Sequence, residues 1–312
     1  MWLIPWGNDL DSLDSLRLFT RVLELGSFSA VAREEGIGQP AVSKAIAALE
    51  RSLGVRLLER TTTHMTPTEE GKQFYDRGKR VIEAYAEAVA EAKGQVQRLS
   101  GSLRVNAPVG LGELRLNGLF VEFLAAHPEI DIELILNDRM IDLVEEGVDV
   151  AIRLGGALPP NAVARSLGVS PRVLVATPAY LRRSPVLRKP EDLSAHEYIR
   201  FAGLAPGDRI EFFKGTETVA VATTGRYRVN SSLALRQCFV EGIGLGSAPA
   251  WLVQDLIDAG TLVRLLPRWE MAPQSMHLVY SSRRYQPQRA RALLAFLAEK
   301  LPQLPGFRGP AP

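Results

Sequence analysis

Apolar positions near the start of the chain recur at helical spacing. Leu13, Leu16, Phe19, Val22 and Leu23 fall on one face of a helix that Gly26 ends. Ser27 is placed to cap a short second helix running to Glu34 or Glu35, and Gly36 stops it. A third helix is predicted over 39–53. Pro40 sits in its first turn, where a missing N–H does no harm, Val42, Ile46 and Leu49 form its inward face, and Gly54 ends it. The run Val55-Arg56-Leu57-Leu58-Glu59-Arg60 reads as a strand leading to a polar tip over 61–67. From 68 to 99 the chain lacks Pro and is rich in Ala, Glu, Lys, Arg and Gln, which predicts one long helix. Its apolar positions Val81, Tyr85, Val89, Ala92, Val96 and Leu99 make a narrow seam with charged flanks, the pattern of a helix that pairs with its own copy.

The texture changes at Gly101. Strand-like runs at 102–107, 131–136, 149–153, 172–177, 226–229, 244–248, 262–266 and 277–280 alternate with helical patterns at 111–126, 140–146, 233–240, 250–259 and 288–300. Such alternation predicts an α/β fold with parallel sheets built from crossover units. A Pro-rich tail follows Leu301. The organisation expected is a three-helix domain with a strand-like hairpin over 9–67, a linker helix over 68–99 and an α/β domain over 101–301.

Composition adds limits. A length of 312 residues suits two or three domains, and 46% hydrophobic with 23% charged residues is ordinary for a soluble globular protein. The net charge of +2 does not argue for a nucleic-acid partner, and the first seventy residues are acid-rich, so any such claim rests on where the cations sit. Cys238 is the only cysteine, which excludes an intrachain disulfide and a thiolate metal cluster. Residues 1–9 lack the plan of a signal peptide, and no apolar run reaches membrane-spanning length, so the cytoplasm is the expected compartment with no membrane partner. His64, His127, His196 and His277 are scattered without metal-ligand spacing. Gly242-Ile243-Gly244-Leu245-Gly246 lacks the dinucleotide-loop spacing, and Ser247 lacks a nucleophile elbow. No metal, no cofactor and no enzymatic activity are expected.

The chemistry most visible in the residues is a helix-turn-helix. Gly36-Ile37-Gly38 joins two helices and leaves the second proud of the surface, exposing Gln39, Pro40, Ala41, Ser43 and Lys44 in its first turns. In such motifs this part of the recognition helix meets base edges in the major groove: Gln pairs with adenine, Ser with a base or phosphate, Lys with guanine or phosphate. Thr62, Thr63 and His64 at the tip suit backbone or minor-groove contact, and Arg60 at its base suits a phosphate. Any three-helix domain with a polar surface shares this outline, so spacing alone leaves the question open.

A resemblance goes further. The run Phe19…Gly26-Ser27-Phe28-Ser29-Ala30-Val31-Ala32…Gln39-Pro40-Ala41-Val42-Ser43-Lys44-Ala45-Ile46…Leu49-Glu50…Leu53-Gly54-Val55-Arg56-Leu57-Leu58-Glu59-Arg60…Thr66-Pro67-Thr68-Glu69-Glu70-Gly71 resembles the signature of LysR-type transcriptional regulators. Asp149-Val150-Ala151-Ile152-Arg153-Leu154-Gly155, Val175-Ala176-Thr177-Pro178-Ala179-Tyr180-Leu181 and Gly242-Ile243-Gly244-Leu245-Gly246 resemble effector-domain segments of that family more weakly. The resemblance implies an all-α winged helix-turn-helix, a dimerising linker helix, and a two-subdomain, periplasmic-binding-protein-like effector domain. Subdomain I would span about 101–170 and 270–301, and subdomain II about 171–269. Double-stranded DNA, a small-molecule effector and a homodimer or homotetramer are the implied partners, with Ser29 joining the candidate DNA contacts. Three departures stand out: Gly38 where Ser is usual, Glu35 where an apolar residue usually packs, and Thr63 where Arg is common. They predict a lost helix cap, a looser end to the second helix and a weaker wing contact. The leader over 1–8 is longer than usual and is expected to lack fixed structure.

The resemblance places the effector between the subdomains, at the carboxyl ends of the strands, where open α/β sheets bind ligands. Pro108, Val109 and Gly110 end the first strand and open a helix whose free N–H groups suit a carboxylate. Asn230 and Ser231 open a helix of the second subdomain, Gly246 and Ala248 end a strand, and Arg153 and Phe201 complete the candidate set. The expected function is a DNA-binding transcriptional regulator that senses an organic acid or similar metabolite. A ligand-independent DNA-binding protein is a second reading. A solute-binding protein or enzyme is a third, against which the missing signal peptide and catalytic motifs weigh.

Overall fold

A computed structural model describes residues 10–60, 65–93, 99–139, 141–143, 146–156, 162–202, 209–281 and 286–309. The chain divides into two compact units at Arg98/Leu99.

The first unit is built as the periodicity predicts. Helices α1 (Leu10–Leu25), α2 (Phe28–Glu34) and α3 (Gln39–Leu53) precede a two-stranded antiparallel wing, β1 (Leu58–Arg60) and β2 (Met65–Pro67), and the long helix α4 (Glu69–Ala92). Phe19, Val22, Val31, Val42, Ile46, Leu49 and Leu57 form the core, and Phe74 of α4 closes it against Phe19, with ring centroids 5.7 Å apart. Ser27 caps α2, its hydroxyl accepting from Ala30 N–H at 3.2 Å. At Glu35 the backbone bonds close the helix end: Glu35 N–H reaches Val31 C=O and Ile37 N–H reaches Ala32 C=O, both at 2.9 Å. Gly38 caps α3 without a side-chain bond, as its lack of a side chain requires. The strand expected from Val55 starts only at Leu58, because Val55 and Arg56 are exposed and unpaired with β2. The leader over 1–8, the wing tip Thr62, Thr63 and His64, and Val96 of the predicted seam lie outside the described residues.

The second unit holds a five-stranded sheet in the order β4-β3-β5-β14-β6: β3 (Gly101–Ala107), β4 (Ile130–Leu136), β5 (Val150–Leu154), β6 (Ala162–Ser170) and β14 (Gln274–Ser281). Between β3 and β4 run α5 (Val109–Leu111), a π-helical turn (Gly112–Leu116) and α6 (Asn117–Ala126). The other half carries β7 (Arg172–Ala176), α7 (Pro178–Arg182), β8 (Arg200–Phe201), the β9 (Arg209–Lys214)–β10 (Glu217–Ala222) hairpin, β11 (Arg228–Val229), α8 (Ser232–Val240), β12 (Gly246–Pro249), α9 (Ala250–Asp258) and β13 (Val263–Leu265). Helix α10 (Gln288–Lys300) returns to the first half, where Leu293 and Leu297 pack with Phe120 and Phe123 of α6 over the sheet.

The expectation of parallel sheets is corrected. Parallel pairing joins β3 to β4 and β5, and β8 to β11 in a two-residue ladder. In contrast, β14 is antiparallel to β5 and β6, and β7 is antiparallel to β12 and β13. The reason is the double crossing between halves: β6 carries the chain out, β14 brings it back, and the two lie side by side. The helix expected over 140–146 is not seen at its described residues Ile141, Asp142, Leu143 and Glu146, and the rest of that range lies outside the described residues. The Pro-rich tail docks onto the fold through its described residues, which end at Gly309. Arg308 pairs with Val169 through both backbone bonds, and buried Phe307 stacks on Trp251 with rings 4° from parallel. No helix among the described residues is long and apolar enough to cross a membrane.

Candidate nucleic-acid interface and effector site

On the first unit, Gln39, Pro40, Ala41 and Lys44 are exposed along the N-terminal turns of α3, Ser43 is half-buried beside them, and Ser29 is exposed on α2. Lys44 has no ion-pair partner among the described residues, so its ammonium is available to a phosphate or guanine. Several of the acids among the first seventy residues are engaged in internal contacts. Arg21 binds Glu34 at 2.9 Å and Glu24 at 2.7 Å, and these bonds hold its guanidinium well above its ordinary pKa. Glu24 also accepts from Tyr75 Oη at 3.3 Å. Glu50, on α3, accepts from two backbone N–H groups of the wing root. Arg60 lies in β1.

On the second unit, the fold brings two sequence-predicted segments together. A side chain added at Gly110 would run into the hydroxyl of Ser232 and meet Leu233, so the turn Pro108-Val109-Gly110 abuts the start of α8 across the two halves. Ser231 caps that helix, accepting from Ala234 N–H at 3.3 Å, with Asn230 exposed before it. Phe201 in β8 is half-buried against the core. Gly246 and Ala248 are buried inside β12, Gly246 under the ring of Phe239 and Ala248 within the core. The N–H of Val109 is not a free anion donor: Asp138 Oδ1 accepts from it at 3.1 Å.

Arg153 is the outlier. Its side chain lies at the carboxyl end of β5, 8% exposed, with Nη1 donating to Asn106 Oδ1 and to Ile152 C=O. Nη2 is buried with no hydrogen-bond partner, and burial pushes the guanidinium pKa down. His277, its register partner on β14, has an equally unpartnered buried Nδ1, and Asn137, just after β4, has an unpartnered Oδ1. A desolvated cation without a carboxylate is costly. Asp138, Asn137 and His277 carry no sequence signal of their place here, because only the sheet register sets them beside the predicted positions.

The chain matches two family descriptions. Residues 13–72 match "Bacterial regulatory helix-turn-helix protein, lysR family", and residues 97–302 match "LysR substrate binding domain". The chain is similar to the probable HTH-type transcriptional regulator LtrA of Klebsiella pneumoniae, 32% identical across 95% of this chain and 97% of that protein. It is 32% identical to the HTH-type transcriptional regulator PtxR of Pseudomonas aeruginosa over 94% of each. Among solved structures, CrgA, a LysR-type transcriptional regulator from Neisseria meningitidis, is 29% identical with a TM-score of 0.60, covering 92% of this chain and 98% of that one. The Vibrio cholerae virulence activator AphB matches over the same shares at 29% identity and a TM-score of 0.58. With its recognition helix, its wing and its two-part regulatory domain matched in one chain, this protein belongs to the family of LysR-type transcriptional regulators.

Proposed function

We propose that α3 enters the major groove with Gln39, Ser43 and Lys44 at base edges, while Ser29, Pro40, Arg60 and the wing residues Thr62, Thr63 and His64 follow the backbone. The protein works as a homodimer or homotetramer joined through α4. Its effector is an anion, an organic acid held between Pro108-Val109-Gly110 of one half and Asn230-Ser231 of the other, with its carboxylate on Arg153.

The unpartnered Nη2 of Arg153 is the observation that supports the anion. A guanidinium offers two parallel N–H donors to a carboxylate, the strongest kind of neutralising contact available to it. Ligand binding favours whichever closure of the two halves it fits better, and it shifts the protein only by that difference in affinity.

The reading is tested by thermal unfolding of wild type and Arg153→Met with a panel of small carboxylates, matched neutral amides and amines. Carboxylates should raise the wild-type Tm, by about 2.7 kcal/mol of stabilisation at a hundred times Kd, and leave the variant unmoved. Without ligand, the variant should be as stable as wild type or more so, since it removes an uncompensated charge. Equal carboxylate shifts in both proteins, or shifts from amines alone, would refute the assignment.

A further inference from the structure

The wing is a short hairpin, and an isolated two-stranded hairpin is marginal in water. Its position is set by what holds its root. Glu50 lies on α3, between the buried Leu49 and the end of the helix. Its Oε1 accepts from Leu57 N–H at 2.8 Å and from Leu58 N–H at 3.1 Å, the two residues that enter β1. The opposite side is pinned as well. Thr68 N–H donates to Leu57 C=O at 3.0 Å, Thr68 Oγ1 donates to Arg56 C=O at 2.8 Å, and Gly71 of α4 presses on the Leu57 carbonyl so closely that a side chain there would collide with it.

An acid on a recognition helix works against a polyanion such as DNA. Here its carboxylate is instead fixed by two backbone donors, a charge-assisted arrangement of the strong kind. We infer that Glu50 is a positioning residue: it sets the wing's distance and angle from the recognition helix and thereby decides whether the wing reaches the DNA backbone. Thr68 and Gly71 extend the same linkage into α4. This rests on α3 and the wing being the DNA contacts.

The two possible roles of Glu50 predict changes of opposite sign. If it acted only through its charge, both Glu50→Ala and Glu50→Gln would bind DNA more tightly. As a positioning residue, Glu50→Ala binds more weakly although it removes a negative charge. Glu50→Gln keeps a carbonyl oxygen that can accept both N–H groups and stays close to wild type.

The test is a salt titration of the full-length protein on a mixed-sequence 40-base-pair duplex, since backbone contacts do not require an operator. Glu50→Ala should lose roughly tenfold in affinity at physiological salt, and its log K against log salt slope should flatten by about one to two phosphate contacts. Glu50→Gln should fall within about threefold of wild type with its slope retained. Equal or tighter binding by Glu50→Ala would overturn the inference. So would an unchanged slope with a reduced active fraction, the mark of a role in folding alone. Failure of the wild type to bind would instead remove the DNA-contact reading, and this inference with it.

Discussion

Nη2 of Arg153 and Nε2 of His196 are both buried without a hydrogen-bond partner. Arg153 is visible in the sequence as a cation in a strand-like run, but its missing partner is not, because burial and the sheet register decide who faces it. The Val109 N–H is the reverse case: an apparently free donor is taken by Asp138, a residue far along the chain. His196 is 3% exposed, with Nδ1 at 3.2 Å from Tyr180 Oη. Burial pushes its imidazole pKa below the ordinary value. The native state therefore resists a proton that the unfolded chain accepts near pH 6.5. The stability this neutral histidine contributes is complete above about pH 6.5 and falls as the pH drops from there toward the lower folded pKa. Thermal unfolding between pH 7.5 and 5 should show Tm declining on the acid side, with a shallower decline in His196→Asn. Parallel profiles for the two proteins would show that His196 carries none of the dependence.

Elements with strong periodicity are legible in the sequence, and elements whose pattern is set by an edge or a turn are not. The first three helices follow from spacing and caps alone. Strand β6 gives no alternation because residues 163–166 are exposed and Gly168 breaks the register beside Arg308. The β9–β10 hairpin turns at Gly215, and its one signal is the short run Lys214-Gly215-Thr216 between strands that lack clean alternation. The α4 seam reads as a pairing surface, and Val81 and Tyr85 are 54% and 57% exposed on it. Two large apolar side chains this exposed on a polar helix call for a partner. Sedimentation of Val81→Glu/Tyr85→Glu should show a shift toward monomer at concentrations where wild type is dimeric. An unchanged sedimentation coefficient would place the subunit contact elsewhere.

On the scale of the whole molecule, the class of fold is legible but the path of the chain is not. Alternating strands and helices suggest parallel sheets, whereas the chain leaves the first half on β6, returns beside it on β14, and is fastened at both crossings by Trp251. Its backbone N–H donates to Ser170 Oγ at 3.1 Å, its indole N–H to Gln274 Oε1 at 2.9 Å, and its carbonyl accepts from Arg115 at 2.9 Å. The tail completes this node, with Gly306 C=O accepting from Ser170 Oγ at 2.7 Å and Phe307 stacked on the indole. A Pro-rich composition conceals such docking, because it lacks periodicity. Phe307→Ala should cost the effector domain about 3 kcal/mol. Denaturant unfolding that shows no loss would mean that the tail contributes nothing to the crossings.

Sequence reading by α3 in a symmetric assembly is the step on which regulation by this protein depends. Selection of binding sites from a random duplex pool by the full-length protein tests it with no operator sequence specified in advance. The expected result is enrichment of a pseudo-palindromic motif whose half-sites lie about one helical turn, roughly 10 base pairs, apart. Recovery of a pool no different from the input, by protein shown to be folded, would contradict it.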